Sequence, residues 1–419
     1  MELANYVKGK KIIFGITGGI AAYKAANCVS ALRRAGAEVY VVMTENATKF
    51  ISPITMKTLS EHNVITEMFS DEGYVTHISL TEIADLFIVA PATANCIAKL
   101  RSGIADDMLS TMLLAYNKDI LLVPSMNDNM LNNPATIENI EVLSKRNINF
   151  VIPDTGKLAT GKVGKGRFPE IEKILLKIVE LIYIKPLINS ISNNSFDKFQ
   201  KIVSLNSFLV TAGATREYID PVRYISNGSS GKMGFAFMNA ISSLQGNLKV
   251  IAASYTDTRI DWFSPIKATT TIELKDQIMQ NLNNSKIDWL IMAAAPSDYR
   301  IKNPIDSKIK KTSEELNLTF VKNPDILMEI RKNFEKLNIL GFAAETDNLE
   351  KNAEEKLEKK KLDAICLNQV YKDEKGFNQD KNEIIFMDKD GFKIKIEQTD
   401  KEILAYLVLY YIFKNKINT

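Results

Sequence analysis

The sequence is short of several features that would settle its class at once. It has only three cysteines in 419 residues, Cys28, Cys96 and Cys366, and they are far apart. An odd, scattered set excludes a disulfide scaffold and reads as reduced, mostly core thiols. Two histidines and no His/Cys cluster argue against zinc. Net charge is also scarce: 53 basic against 50 acidic residues leave +3, which argues against a general nucleic-acid binder. No apolar run approaches the ~20 residues of a membrane span. MELANYVKGKK has no apolar stretch ahead of its lysines, and IIFGIT is too short for a signal-peptide core. The chain therefore reads as cytoplasmic, with neither a membrane nor a nucleic acid as partner. A hydrophobic fraction of 46% and a charged fraction of 25% are those of an ordinary globular protein, and the length favours two domains.

The most informative stretch that is present is 211–234, TAGATREYIDPVRYISNGSSGKMG. An apolar run leads in and FAFMNAISSL leads out, so it reads as strand, long glycine-rich loop, helix. It carries Arg216, Arg223 and Lys232 among Gly213, Gly228, Gly231 and Gly234. Backbone N–H groups at such a turn, and the helix dipole behind them, suit an anion. A plain surface loop is the alternative, but loops of this length are usually functional or disordered.

The first half opens on a strand–helix–strand unit: KKIIFGIT (10–17), GGIAAYKAANCVSALRRAG (18–36) and EVYVVMT (38–44). Its turn, TGGIAAYK, is not G-x-G-x-x-G. Thr44 stands where a dinucleotide enzyme would place a ribose-binding acid, so the turn suggests a phosphate site and only weakly an NAD site. ADLFIVAPATAN (84–95) and KDILLVPSMNDNM (118–130) are two further strands with polar exits, the edge where open α/β sheets bind ligands. INFVIPDTGKLATGKVGKGRFPE (148–170) reads as a mobile glycine-rich flap or a plain exposed loop. His62 reads as a surface residue; His77 sits just before a helix leading into the PATAN strand. A lone histidine is more often structural, but imidazole titrates in the range catalysis needs. Asn127 is either a turn former or a ligand for a carboxylate or amide.

GITGGIAAYK, VVMTENATKFI, HISL-x₃-ADL-x-IVAPATAN and PSMNDNM together resemble the flavin-dependent phosphopantothenoylcysteine decarboxylase domain of coenzyme A biosynthesis, through residues 8–175. The resemblance implies FMN bound by Gly18, Gly19, Ile20 and Ala21, by Thr44, and by Pro91, Ala92, Thr93, Ala94 and Asn95. It implies His77 as the catalytic histidine and Asn127 as the residue gripping the substrate carboxylate. The chemistry is coherent. A β-amino thiol acid has no electron sink, whereas oxidation of its thiol carbon to a thioaldehyde creates one, and the electrons return from reduced flavin. One position departs. The flap cysteine that often protonates the ene-thiolate is Thr160 here, whose hydroxyl pKa is far too high for the task. Another group such as His77, or water, must donate the proton, or the first domain binds flavin but decarboxylates poorly.

Residues 184–201, rich in Asn and Ser and containing Pro186, read as a linker between a domain at 1–183 and one at 202–419. In the second half, TAGATRE-x₂-DPVRYISN-x-SSGKMG, AAA-x-SDYR, KIKK, VKNPDIL and GFAAET are similar, in order, to the phosphopantothenate–cysteine ligase domain. The fused pair matches the bifunctional bacterial family. The resemblance implies two doubly wound α/β, Rossmann-like domains. It implies Asn227 positioning an acyl-cytidylate, Lys308 forming it, and Arg223 facing substrate. Met292, Ala293, Ala294 and Phe342 would line the base pocket. Asp298, Asn323, Pro324, Asp325, Ile326, Lys356 and Lys360 would make further nucleotide contacts. The small-molecule substrates are 4'-phosphopantothenate, cysteine and CTP, with Mg²⁺ on the triphosphate and metal ligands unassigned. It also implies a homo-oligomer, with flavin-domain trimers joined into a dodecamer and ligase-domain dimers.

Overall fold

The structure is a computed structural model, and it describes residues 2–68, 73–157, 161, 163–310, 315–345, 349–369 and 379–418. The chain divides into two compact units, residues 2–187 and 188–419.

In the first unit, β1 (Lys11–Ile16), β2 (Glu38–Met43), β3 (Leu86–Ala92), β4 (Ile120–Pro124) and β5 (Asn149–Phe150) form one parallel sheet in the order β2-β1-β3-β4-β5. β3 and β4 are buried at every residue, and β1 at all but Lys11. That is why they read as unbroken apolar runs: a parallel sheet is covered on both faces. The order is the flavodoxin-type variant of the doubly wound fold, and it reverses between β1 and β3, where such sheets bind ligands. Asp154–Lys157 and Val163–Arg167, β6 and β7, form a separate antiparallel hairpin. The expected flap is thus a paired ribbon over its described residues.

The second unit supplies β8 (Ser207–Ala212), a small antiparallel pair β9 (Arg216–Tyr218) and β10 (Tyr224–Ser226), then β11 (Asn247–Ala252), β12 (Ile266–Lys267) and β13 (Trp289–Met292). A second small pair, β14 (Tyr299–Ile301) and β15 (Phe320–Lys322), precedes β16 (Asn338–Glu345), β17 (Ala364–Gln369), β18 (Lys381–Asp388) and β19 (Lys393–Asp400). The main sheet runs β12-β11-β8-β13-β16-β17-β18-β19. Its first six strands are parallel and take the three-two-one-four-five-six order of a Rossmann sheet. β18 and β19 extend it antiparallel through a tight turn, in which Asp388 Oδ1 accepts from the N–H groups of Asp390 at 3.0 Å and Phe392 at 2.8 Å. Exposed Lys393 and Lys395 on the edge strand discourage pairing with another chain.

The stretch expected to be a linker is largely helical: Lys185–Ile191 and Phe196–Ser204 account for most of it. Phe196, Phe199 and Val203 make one buried stripe on the latter, so packing overrides the polar composition. Pro186 is the second residue of its helix, directly behind a π-helical turn, Glu180–Ile184. His77 lies within helix Gly73–Ile83 and not ahead of it. The three cysteines are buried and unpaired, and burial pushes the Cys28 thiol up to about 12. No helix among the described residues is long and apolar enough to cross a membrane.

Lys401 begins the last helix, Lys401–Asn418, and is buried, with its Nζ donating to the Gln379 carbonyl at 2.5 Å. Burial, and then the charge of Lys232, push its ammonium down from 10.5 to about 8 against the pull of Asp380, Glu402 and Asp257. The unfolded chain therefore holds more protons between these values, so stability rises as pH climbs from about 8 to 10.5. Denaturant midpoints measured across that window are expected to climb in the wild type and to flatten in Lys401→Met; parallel pH profiles would contradict this.

Candidate active sites

Three loops meet at the carboxyl edge of the first sheet. Thr17, directly after β1, is buried; its hydroxyl donates to the Pro91 carbonyl at 2.7 Å and accepts from the Thr93 N–H at 3.1 Å. This fastens the first loop to the PATAN loop. A Cβ on Gly18 would fall 2.5 Å from the Asn46 Cβ, so only glycine lets the loops after β1 and β2 touch. At Gly19 a Cβ would meet Thr93 Cγ2 at 3.8 Å, an ordinary van der Waals contact, so space does not demand glycine there. Helix Ala22–Arg34 starts at Ala21, which offers no side-chain cap, and its first turn has no acidic residue. Thr44, Thr93 and Asn127 instead cap their own helices, accepting from Ala47, Cys96 and Asn129 N–H groups at 3.3, 3.5 and 2.9 Å. In the first turn of helix Ala22–Arg34 the Ala22 and Lys24 N–H groups bond the Gly19 and Ala21 carbonyls at 2.9 Å each, so an anion there would meet the remaining N–H groups. Ile20 and Asn95 are exposed, whereas Pro91 and Ala92 are buried as the end of β3. With the Asn127 oxygen engaged in its cap, its Nδ2 is the donor a carboxylate would meet.

The hairpin is bolted to the Asn127 loop. The Gly166 carbonyl accepts from Met126 N–H at 3.1 Å and Ser125 Oγ at 3.3 Å, and Lys165 N–H donates to Asp128 Oδ1 at 3.0 Å. Gly166 has φ +114°, and a Cβ there would lie 2.2 Å from the Met126 oxygen. Of the other expected residues, His77 has only its backbone place in helix Gly73–Ile83, and Thr160 lies outside the described residues.

The second site repeats the arrangement. Thr211, at the end of β8, accepts from Ala294 N–H at 3.1 Å and contacts Met292 Sδ at 3.3 Å, fixing the exit of β13. A Cβ on Gly234 would lie 2.4 Å from Ala212 Cβ, so glycine sets how closely helix Lys232–Ser243 approaches its strand. That helix starts at Gly231, again without a side-chain cap or an acidic first turn. Asp220 is buried; its carboxylate accepts from Val222 and Arg223 N–H groups at 2.8 Å each and from Ile309 N–H at 3.1 Å. Arg223 lies 3.4 Å from the same carboxylate and donates to the Ile309 carbonyl at 3.2 Å. Desolvation would raise the Asp220 pKa, but these hydrogen bonds and the Arg223 charge outweigh it and hold the carboxyl below its ordinary range. The Arg223 turn and the KIKK segment, with exposed Lys308, are thereby joined.

Asn227 donates to the Pro296 and Ala295 carbonyls at 3.0 and 3.4 Å. Asn323 donates to the Ser297 carbonyl at 2.8 Å, and its N–H bonds the Asp298 carbonyl at 2.8 Å. Asn227, Ala293–Asp298 and Asn323 thus share one loop cluster. Met292 and Ala294 are buried; Phe342, on the neighbouring strand, stacks edge-on against Phe237 at 5.7 Å. Asp325 caps helix Ile326–Asn333, and Lys360 pairs with it at 3.0 Å. Lys360 N–H also bonds the Lys356 carbonyl, so the two lysines stand one turn apart. Pro324 and Ile326 flank that cap, Ile326 in the core.

Sequence reasoning passed over Thr17, Gly166, Thr211, Thr215, Glu217, Asp220 and Thr271, which hold these loops in place. Most lie inside recognised motifs, where position signals a role; Thr271 sits in a run of threonines that reads only as a helix start.

Replacing Gly166 by alanine forces both a strained φ and a clash. Limited proteolysis is expected to cut Gly166→Ala faster than wild type between residues 154 and 167, with cleavage of the second unit unchanged; equal rates would contradict the anchor.

Comparison with known proteins follows the same division. Residues 2–183 match the family model described as flavoprotein, and residues 203–415 match the DNA/pantothenate metabolism flavoprotein C-terminal domain. The Coenzyme A biosynthesis bifunctional protein CoaBC of Vibrio vulnificus (strain CMCP6) is 39% identical over 409 residues, covering 96% of this chain and 97% of the relative. That of Escherichia coli (strain K12) is 37% identical over 407 residues, covering 96% of each. A crystal structure of the C-terminal domain of the bifunctional protein CoaBC aligns at 26% identity and TM-score 0.41, over 51% of this chain and 97% of that one. A flavoprotein unit followed by a pantothenate-metabolism unit, matched end to end by such relatives, places the chain in the family of bifunctional coenzyme A biosynthesis enzymes, ligase and decarboxylase in one polypeptide.

Proposed function

We propose that the second unit joins cysteine to 4'-phosphopantothenate at the expense of CTP, and that the first decarboxylates the product with FMN to give 4'-phosphopantetheine. The observation that supports this most is the repeated edge: in each unit a glycine-rich exit from the first strand leads to a helix whose N-terminus lacks a side-chain cap. Each is a ready site for a phosphate group.

In the ligase, the pantothenate carboxylate attacks the α-phosphate of CTP and pyrophosphate leaves; the cysteine amine then attacks the acyl-cytidylate and CMP leaves. Activation is required because a carboxylate is a poor electrophile. Lys308, exposed on the segment tied to Asp220 and Arg223, is placed to neutralise charge as the anhydride forms. Asn227 orients the acyl group. Met292, Ala293, Ala294 and Phe342 take the base, with Asp298, Asn323–Ile326, Lys356 and Lys360 around the rest of the nucleotide. Mg²⁺ comes in on the triphosphate; among the described residues no three His, Cys, Asp or Glu groups converge on a metal.

In the first unit, Gly18–Ala21, Thr44 and Pro91–Asn95 would hold FMN. The helix behind Gly19, which starts without a side-chain cap, fits its phosphate. When bound, FMN supplies the oxidation that gives the substrate an electron sink. Asn127 holds the substrate carboxylate and His77 moves the proton. We place protonation of the ene-thiolate on His77 or water, Thr160 being too weak an acid.

The test is a pair of assays on one preparation. CTP-dependent pyrophosphate release should require phosphopantothenate, and CMP release should also require cysteine. Phosphopantothenoylcysteine supplied directly should yield phosphopantetheine, with His77→Asn reducing its formation by about 10²–10⁴-fold. Pyrophosphate release indifferent to phosphopantothenate, or accumulation of the ene-thiol alone, would overturn the corresponding half. Sedimentation at assay concentration reads the oligomeric state, for which the proposal is a closed homo-oligomer.

A further inference from the structure

Beneath the proposed ligase site runs a chain of four buried groups. The Ser297 N–H donates to the Thr215 hydroxyl at 2.9 Å, the Thr215 and Thr271 hydroxyls are 3.0 Å apart, and the Thr271 hydroxyl is 2.7 Å from Glu217 Oε1. The same oxygen accepts from the Thr271 N–H at 2.9 Å. Thr215, Glu217, Thr271 and Ser297 are all buried. The direction of the chain is set at both ends. An N–H can only donate and a carboxylate can only accept, so each hydroxyl accepts from the Ser297 side and donates toward Glu217. The carboxylate sits at the N-terminus of helix Thr271–Asn284.

The chain links the parts that carry the reaction. Glu217 lies in β9, which pairs with β10 through Glu217 and Ile225, two residues ahead of Asn227. Ser226 Oγ, between them, donates to the Thr215 carbonyl at 2.7 Å. At the other end, Ser297 belongs to the loop whose carbonyls receive Asn227 and Asn323. Because both partners of Asn227 are carbonyl oxygens, Nδ2 must face them and Oδ1 is turned to the open side. The orientation of Asn227 therefore depends on where the 295–298 loop is held.

We propose that Glu217, Thr271 and Thr215 are positioning residues for the ligase: they fix the 295–298 loop so that Asn227 presents its carbonyl oxygen to an N–H or O–H donor of the acyl intermediate. The inference rests on the reading of Asn227 given above. Removing one hydroxyl with little change of shape breaks the chain and leaves a buried donor without an acceptor.

The experiment compares Thr271→Val, Thr271→Ser and Asn227→Ala with wild type in the full-length protein. The cooperative thermal unfolding transition of each sample reports on folding, and decarboxylation of supplied phosphopantothenoylcysteine, which belongs to the other unit, serves as the activity control. Thr271→Val is expected to lower the ligase kcat by about 10-fold or more with the KM for CTP little changed, and Thr271→Ser to restore it. Wild-type kcat in Thr271→Val, or a loss carried by the CTP KM that serine does not restore, would overturn the relay while a defect in Asn227→Ala leaves the reading of Asn227 standing. Full ligation in Asn227→Ala would overturn both. If Thr271→Val loses its cooperative unfolding transition, Glu217→Gln, which keeps an acceptor, takes its place beside Glu217→Ala; the relay then requires the glutamine variant to outperform the alanine one, and equal kcat would refute it.

Discussion

A threonine hydroxyl at the exit of the first strand holds each half of this protein in working shape. Parallel strands end with backbone groups that the sheet no longer satisfies, and these must find partners or water. Thr17 takes up both a carbonyl and an N–H from the loop after β3. Thr211 accepts an N–H from the loop after β13. In both sheets the fastened pair flanks the point where the strand order reverses, so the same bond that completes the fold sets the width of the crevice. One such hydrogen bond is worth only about 1 kcal/mol net, but leaving its buried partners unmet costs about 1–3 kcal/mol. That asymmetry makes the small polar residues of these loops intolerant of apolar replacement.

Glycine supplies the complementary constraint. Gly18 against Asn46, Gly166 against Met126 and Gly234 against Ala212 are contacts in which any Cβ would lie within 2.5 Å of another atom. The first two bring loops against each other, and the third brings helix Lys232–Ser243 against its strand. Threonine fastens and glycine admits the approach, which leaves the N-termini behind Ala21 and Gly231 turned to the crevice without caps of their own.

Much of the fold is legible in the amino-acid sequence. β1, β3 and β4 are unbroken apolar runs because they are covered on both faces, and they read as such. The polar turns after these runs read as strand exits, and the structure places them at the carboxyl edge of the first sheet. What is not legible depends on tertiary contacts. The 184–201 stretch resembles a linker in its Asn, Ser and Pro content, yet Phe196, Phe199 and Val203 bury one face of a helix. The flap's strand pairing has no alternating apolar signature. Thr271 gives no local sign that its hydroxyl reaches a glutamate 54 positions earlier. Asp220 joins the Arg223 turn to Ile309 across 89 positions, a link that only the fold reveals.

If the two sites are held by separate fastenings of the same kind, they should fail separately. The direct measurement is bound flavin per chain, from visible absorbance, alongside CTP-dependent pyrophosphate release, in Thr17→Val and Thr211→Val. Thr17→Val should lose flavin and keep the ligase, and Thr211→Val should keep flavin and lose the ligase. Wild-type values of both quantities in both variants would contradict the account.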